Sequence, residues 1–362
     1  MNFDIQDLIR PHLKNLTPYA SARSEFTGSA RVWLDANENA YGTPGSDTTL
    51  TYHRYPDPYQ KKLKEKVGEI KEIPTDQIFL GNGSDEAIDL LIRIFCRPGI
   101  DNVVTLPPTF GMYEVAASVN DVAVNTAPLL PNYQLDRGAV ESAIDKQTKI
   151  LFFCSPNNPT GNLLDPEEVR FFLDSFNGIV VVDEAYIDFS NQPSFIAELK
   201  NYPNLVVLHT FSKAWGMASL RIGAAFASTE IVNMLNRVKL PYNISSLNQE
   251  VALNVFLHID HYRTSIENII QQRTLLAEAL QLLEVVKKVN HSDANFLLVK
   301  FEDATALYQF LVKDGVVVRN RSSVLLCEGG LRITVGTESE NKDLIKAIHQ
   351  FQDQYSQQSK SA

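Results

Sequence analysis

"IVVVDEAY" occupies residues 179–186: four apolar residues, a carboxylate at Asp183, and a phenol three positions later at Tyr186. An unbroken apolar run has no polar face to show water. As a strand it must be covered on both sides, the situation of a parallel strand inside an α/β sheet. The same texture recurs in "QIFL" (77–80), "NVVTL" (102–106), "KILFF" (149–153) and "NLVVL" (204–208). These runs stop abruptly at "GNGSDE", Pro107-Pro108, "CSPNNPTG" and "HTFSK". Helical patterns lie between them. Ile88, Leu91, Ile92 and Phe95 share one face, and Asp165-Pro166 with Glu168 combines an N-cap, a proline at the first helical position and an acidic first turn. The expected fold is α/β, with a large domain over 31–248 built on a mostly parallel sheet sandwiched by helices.

After about residue 250 the texture changes. A long helical stretch, "NQEVALNVFLHIDHYRTSIENIIQQRTLLAEALQLL", precedes strand candidates "NFLLVKF", "VVVRN" and "LRITVG". This predicts a smaller α+β domain over 249–362, and the first 30 residues, lacking a strong strand, are expected to join it as an N-terminal arm.

Composition narrows the function. The chain has 362 residues, with 33 basic against 43 acidic side chains and a formal charge of −10, which disfavours nucleic acid as the main partner. No run approaches the ~18 apolar residues of a membrane span. The polar start "MNFDIQDLIRPHLKNL" has no apolar signal core, and Cys96, Cys154 and Cys327 are scattered, so a cytoplasmic location with buried thiols is expected. His258 and His261 have no third ligand nearby and read as surface or packing residues, so no metal is expected.

Ligands of open α/β sheets bind beyond the carboxyl ends of the strands, and the polar residues worth noticing all follow strand ends. Gly83, Ser84 and Asp85 open a helix, where free amides suit a phosphate, although Asp85 opposes an anion unless a cation is near. Phe110 offers a flat apolar face, Asn158 an amide, Asp183 a placed charge and Tyr186 a hydroxyl. In "TFSKAWGMASLRIG" (210–223) a single amine, Lys213, follows an apolar strand, and the next cation, Arg221, comes eight residues later. Singly, each has an ordinary reading as a turn, capping or core residue. Together they fit pyridoxal 5′-phosphate: phosphate at the 84–85 helix start and Arg221, ring stacked on Phe110, ring nitrogen facing Asp183, ring hydroxyl meeting Asn158 and Tyr186. Lys213 is then the Schiff-base amine and proton carrier.

The stretches "NLTPYASAR" (15–23), "WLDANENAYG" (33–42), "RYPDP" (54–58), "GNGSDEAIDLLIR" (81–93), "PPTFGMY" (107–113), "CSPNNPTG" (154–161), "DEAYIDF" (183–189), "TFSKAWGMASLRIG" and "LRITVGT" (331–337) carry a resemblance over about residues 10–340. The chain resembles the fold-type I pyridoxal-phosphate aminotransferases and, among them, the histidinol-phosphate aminotransferases. The resemblance implies a seven-stranded sheet and a homodimer with shared active sites, Tyr55 reaching the neighbouring subunit's cofactor. It implies that Thr210 and Ser212 help Arg221 hold the phosphate, and that Lys213, Asp183 and Tyr186 are catalytic. Tyr19, Asn37, Arg319 and Arg332 would line the substrate side, Arg332 as the carboxylate or phosphate anchor. The reaction implied is reversible amino transfer between L-histidinol phosphate and 2-oxoglutarate, in histidine biosynthesis. Aromatic aminotransferases and a phosphothreonine decarboxylase resemble this family and differ around residues 15–40 and 315–335. A non-catalytic regulator is disfavoured by the charge of −10 and the lack of a basic helix-turn-helix. Two positions depart from the family pattern: Phe110 stands where many members have tyrosine, and Arg321 is an extra cation, read as pointing outward.

Overall fold

A computed structural model describes residues 3–17, 19, 31–45 and 52–359. Its strands in chain order are β1 (Ile78–Asn82), β2 (Asn102–Thr105), β3 (Ala123–Thr126), β4 (Thr148–Cys154), β5 (Ile179–Asp183), β6 (Leu205–Thr210), β7 (Ile222–Ala227), β8 (Val286–Val289), β9 (Phe296–Phe301), β10 (Arg319–Asn320) and β11 (Gly330–Thr334). The first seven form one sheet in the order β1-β7-β6-β5-β4-β2-β3. β2 to β6 run parallel, while β7 is antiparallel to both its neighbours.

The apolar runs are buried on both faces because alternate residues feed different layers. Val180 and Val182 join Leu151, Phe153 and Val207 on one side, packed with Val169 and Phe172 of the helix Pro166–Ser175. Ile179 and Val181 join Ile150, Phe152 and Val206 on the other, packed with Ile88 and Leu91 of the helix Ser84–Phe95. The helix at 166 starts as its sequence predicts, with Asp165 accepting from the Glu167 amide and Pro166 in the first turn.

The second sheet is antiparallel throughout, in the order β10-β11-β9-β8. The helices Ile259–Gln281, Ala304–Lys313 and Glu338–Ser359 pack with it, through Leu280, Leu307, Ile348 and the β9 and β11 side chains Val299 and Ile333.

Two boundary expectations change. The arm does not join the small layer: Ile5, Leu8, Ile9 and Leu13 pack with Phe79 and Leu91 of the large one, and the Arg10 amide donates to the Ile94 carbonyl at 3.0 Å. The burial of these four apolar side chains against the large layer is what holds the arm there. The expected helical stretch from 248 is two helices, Ser246–Val255 and Ile259–Gln281. Ala252 and Phe256 belong to the large core and Ile259 and Tyr262 pack against it, so the change of layer falls within the helix Ile259–Gln281, whose Leu276 and Leu280 join the small layer, rather than at 248. Among the described residues no helix is long and apolar enough to cross a membrane, and no group of three or more metal-ligating side chains occurs.

Candidate active site

The carboxyl ends of β4, β5 and β6 and the start of the helix Ser84–Phe95 surround a cavity of about 180 Å³. Its walls are Ser84, Asp85, Phe110, Cys154, Asn158, Asp183, Ala185, Tyr186, Thr210, Ser212, Lys213, Ala218 and Arg221. A larger groove, about 1160 Å³, lies between Ile259–Gln281 and Glu338–Ser359. None of the sequence-predicted site residues lines it, so chemistry, not size, assigns the site to the smaller cavity.

Asp183 is the last residue of β5 and is 2 % exposed. It accepts a hydrogen bond from the Tyr113 hydroxyl at 2.8 Å and one from the Ala185 amide at 3.1 Å. Neither donor is a cation, and no ion pair is made with Asp183 among the described residues. Burial therefore raises its pKa from 3.8 to about 6 against these two bonds. Tyr113 is itself fully buried and stacks on Phe152 at 4.7 Å between ring centroids. It lies three residues after Phe110, on the buried face of the helix Met112–Val119, and its sequence context does not single it out as a partner of the acid.

Gly83 has φ +79°, and a Cβ there would lie 2.8 Å from an Arg221 guanidinium nitrogen. Glycine at this turn thus lets Arg221 sit against the helix start. Arg221 bonds Asp85 at 3.3 Å, which supplies the cation that the acidic residue at a phosphate site requires, and it donates to Ser212 Oγ at 3.5 Å. The Ser212 amide in turn donates to Thr210 Oγ1 at 3.1 Å. β6, the turn after it and the helix start are therefore one connected polar surface whose free amides and guanidinium suit an anion.

Lys213 sits in the turn after β6, with Nζ 5.8 Å from the centre of the Tyr186 ring. Surrounding protein lowers its pKa, first by desolvation, then by the positive charges of Arg332 and Arg221. The residue as a whole is nonetheless exposed to solvent. Asn158 donates to the Tyr186 hydroxyl at 3.4 Å and accepts from Arg332 at 2.5 Å. Arg332 also lies over the Phe296 ring, 5.3 Å from its centre. The small sheet thus delivers its arginine to the edge of the large-sheet cavity.

The remaining expected residues lie apart. Arg319 faces Arg332 across the β10–β11 ladder and is exposed. Tyr55 stacks on Tyr242 at 4.5 Å, and half its surface is open. Tyr19 and Asn37 are exposed and are not among the residues that line the cavity. Arg321 does not point outward as expected: it is only partly exposed and its Nε is buried. Its amide donates to the Gly330 carbonyl at 2.9 Å, which extends the β10–β11 pairing by one residue, and the alternation from Arg319 then puts its side chain on the face of Arg319 and Arg332.

These residues fit pyridoxal 5′-phosphate. A buried carboxylate without a cation suits a protonated ring nitrogen. A cation-backed helix start suits a phosphate, and a lone amine with a lowered pKa suits an aldehyde.

Comparison with known proteins agrees. The family "Aminotransferase class I and II" matches residues 25–348. The histidinol-phosphate aminotransferase of Parabacteroides distasonis is 51 % identical over 345 residues, 95 % of this chain and 98 % of that protein. That of Cytophaga hutchinsonii is 49 % identical over 351 residues, 97 % of this chain and 100 % of that protein. The crystal structure of the Clostridium acetobutylicum histidinol-phosphate aminotransferase superposes with a TM-score of 0.77 at 26 % identity, covering 84 % of this chain and 92 % of that one. With this architecture and this cavity, the chain belongs to the class I and II aminotransferases, within the group of pyridoxal-phosphate-dependent histidinol-phosphate aminotransferases.

Proposed function

We propose that the chain transfers an amino group reversibly between L-histidinol phosphate and 2-oxoglutarate, giving imidazole acetol phosphate and L-glutamate in L-histidine biosynthesis. The observation that carries this reading is the 2.5 Å bond from Arg332 to Asn158, which seats a substrate-side guanidinium against the residues that fit the cofactor. The relatives named above support the choice of substrate.

Bound pyridoxal 5′-phosphate supplies an electron sink for the pair left when the substrate carbon loses its proton. The rest falls to the chain. The backbone amides at Ser84 and Asp85, with Thr210, Ser212 and Arg221, would hold the phosphate end, Gly83 giving the close approach. Phe110 would cover the ring, Asn158 and Tyr186 would orient its hydroxyl, and Asp183 would keep the ring nitrogen protonated. Lys213 would anchor the cofactor and then move the proton, and its desolvation, followed by the charges of Arg332 and Arg221, favours the neutral amine that this needs. Arg332 binds either the carboxylate of glutamate or the phosphate of histidinol phosphate, since its planar fork suits both. Arg319, Tyr19 and Asn37 complete the substrate side.

We further infer a cytoplasmic homodimer with shared sites. Tyr55 is not among the residues that line its own chain's cavity, which supports a role in the other subunit's site. The segments that carry it hold exposed apolar residues: Leu34 at 87 %, Tyr41 at 100 % and Leu240 at 76 %. A surface of this kind suits a second copy.

Measuring kcat/KM separately for each half-reaction of the purified protein tests the reading. Histidinol phosphate should be used at least about 10-fold better than phenylalanine or tyrosine, a gap of about 1.4 kcal/mol. Arg332→Ala should lower both half-reactions roughly 10- to 150-fold, the range for a lost charge-assisted bond. Decarboxylation of phosphothreonine without consumption of histidinol phosphate would replace this reading with the decarboxylase one.

A further inference from the structure

Arg321 is the basic residue that the family pattern does not explain, and its surroundings are specific. Arg319 and Arg332 are direct partners in the β10–β11 ladder, so their side chains leave the sheet on the same face. The Arg321 amide continues that ladder to Gly330, and two positions beyond Arg319 the alternation returns to the same face. Its Nε is out of water with no hydrogen-bond partner among the described residues. Burial and the charges of Arg332 and Arg319 disfavour its cation, while the Cys327 thiol and the Tyr186 phenol are the groups facing it that favour it. No carboxylate pairs with it among the described residues. A half-buried guanidinium beside two others, with a donor lacking an acceptor, is a costly arrangement for the protein alone. An anion with several oxygens removes the cost.

We propose that Arg321 is the third guanidinium of a phosphate-monoester subsite, with Arg319 and Arg332, and sets the enzyme's preference for the dianionic phosphate of its amine substrate over the monoanionic carboxylate of glutamate. This rests on reading the amine substrate as phosphorylated. A carboxylate offers two oxygens and one charge, which Arg332 with one helper satisfies. A phosphate monoester offers three terminal oxygens and nearly two charges, and can occupy a third fork.

Holoenzyme variants R321Q and R321K test this with histidinol phosphate, histidinol and glutamate as amino donors, and with inorganic phosphate as an inhibitor of the glutamate half-reaction. R321Q should lower kcat/KM for histidinol phosphate by about 10- to 50-fold and lower it much less for glutamate and histidinol. The inhibition constant of inorganic phosphate should rise in parallel, with R321K intermediate on both counts. For the wild type, kcat/KM with histidinol phosphate should climb as the phosphate loses its second proton, near pH 6, and R321Q should flatten that climb. Equal losses on all three donors would make Arg321 a packing residue. Unchanged use of histidinol phosphate with unchanged phosphate inhibition would place it outside the subsite. Should the wild type ignore histidinol phosphate altogether, the substrate reading fails, and the phosphate inhibition constants still decide whether Arg321 belongs to an anion site. R321K retains the charge and stem, so it gives the same comparison if R321Q folds poorly.

Discussion

At the scale of single residues, Asp183 shows how the site is held at a cost to stability. Its carboxyl is buried at the end of β5 with two neutral donors and no cation, and its pKa stands at about 6 rather than 3.8. The folded, cofactor-free protein therefore binds a proton here that the unfolded chain releases. The sign follows: with the folded pKa raised, stability is fully present below the unfolded value near 4 and is lost as pH rises through 6. Removing the cofactor and replacing Asp183→Asn should stabilise the protein at pH 8 by about 1–3 kcal/mol, with little difference at pH 4. Denaturant melts of the two cofactor-free proteins at both pH values check this. A less stable variant at pH 8 would mean that the carboxylate has a cation it does not show. In the loaded enzyme the same change should cost on the order of 100-fold in kcat or more, because the ring nitrogen loses its counter-charge. Near-normal turnover with cofactor bound would remove Asp183 from the chemistry.

At the scale of elements, the sheet presents its functional side chains by stopping. β4, β5 and β6 end side by side, and the residues after them converge because parallel strands share a direction. β7 closes the pattern from the opposite direction and carries Gly223 against the start of the helix Ser84–Phe95. A Cβ on Gly223 would lie 2.2 Å from the Ser84 amide nitrogen and 2.5 Å from the Gly83 carbonyl carbon. These are backbone atoms that cannot swing aside, so Gly223→Ala should push the helix start away from Arg221. We expect cofactor affinity to fall at least about 10-fold, roughly 1.4 kcal/mol, with a loss of 1–3 kcal/mol in stability from overpacking. Equilibrium titration of the cofactor-free variant with pyridoxal 5′-phosphate measures the first, and an unchanged affinity would show that the helix start does not bind the phosphate. The sequence "IGAAFA" hid this strand, since small residues lack the β-branched texture of its neighbours. β3 and β8 were hidden for another reason: "AVNT" and "VKKV" are half-exposed edge strands with few apolar residues to mark them.

At the scale of the whole molecule, the chain carries the cavity described above and, apart from it, Tyr55 among exposed apolar residues. Tyr55 is held by its amide's bond to Glu38 at 2.7 Å and by its stack on Tyr242, beside exposed apolar residues. If it serves the other subunit, mixing Tyr55→Phe with Lys213→Ala dimers should yield hybrids with one intact site. On random exchange about a quarter of the wild-type site activity should return, because the other hybrid site carries both defects; this follows from the effectively all-or-none dependence on the lysine. No return of activity, with exchange confirmed by native mass spectrometry, would count against a shared site. The link between the two layers is tangible. Trp215, two residues past Lys213, stacks at 3.8 Å on Tyr262 of the helix Ile259–Gln281, so the lysine turn is braced by an element that continues into the small layer.

The sequence alone determined the apolar strands, the points where they stop and the kinds of side chain placed there. Continuous apolar runs admit only burial on both faces, and the chemistry of Lys213, Asp183, Asn158, Tyr186 and Arg221 belongs to the residues themselves. The tertiary structure decided what depends on meeting across long distances in the chain. Tyr113 and Asp183 lie 70 positions apart, and Asn158 and Arg332 lie 174 apart, and neither pair has a local signature. It also decided which layer takes the N-terminal arm and which way Arg321 turns. Both follow from packing against surfaces that exist only once the chain has folded, and no periodicity in a single segment encodes them.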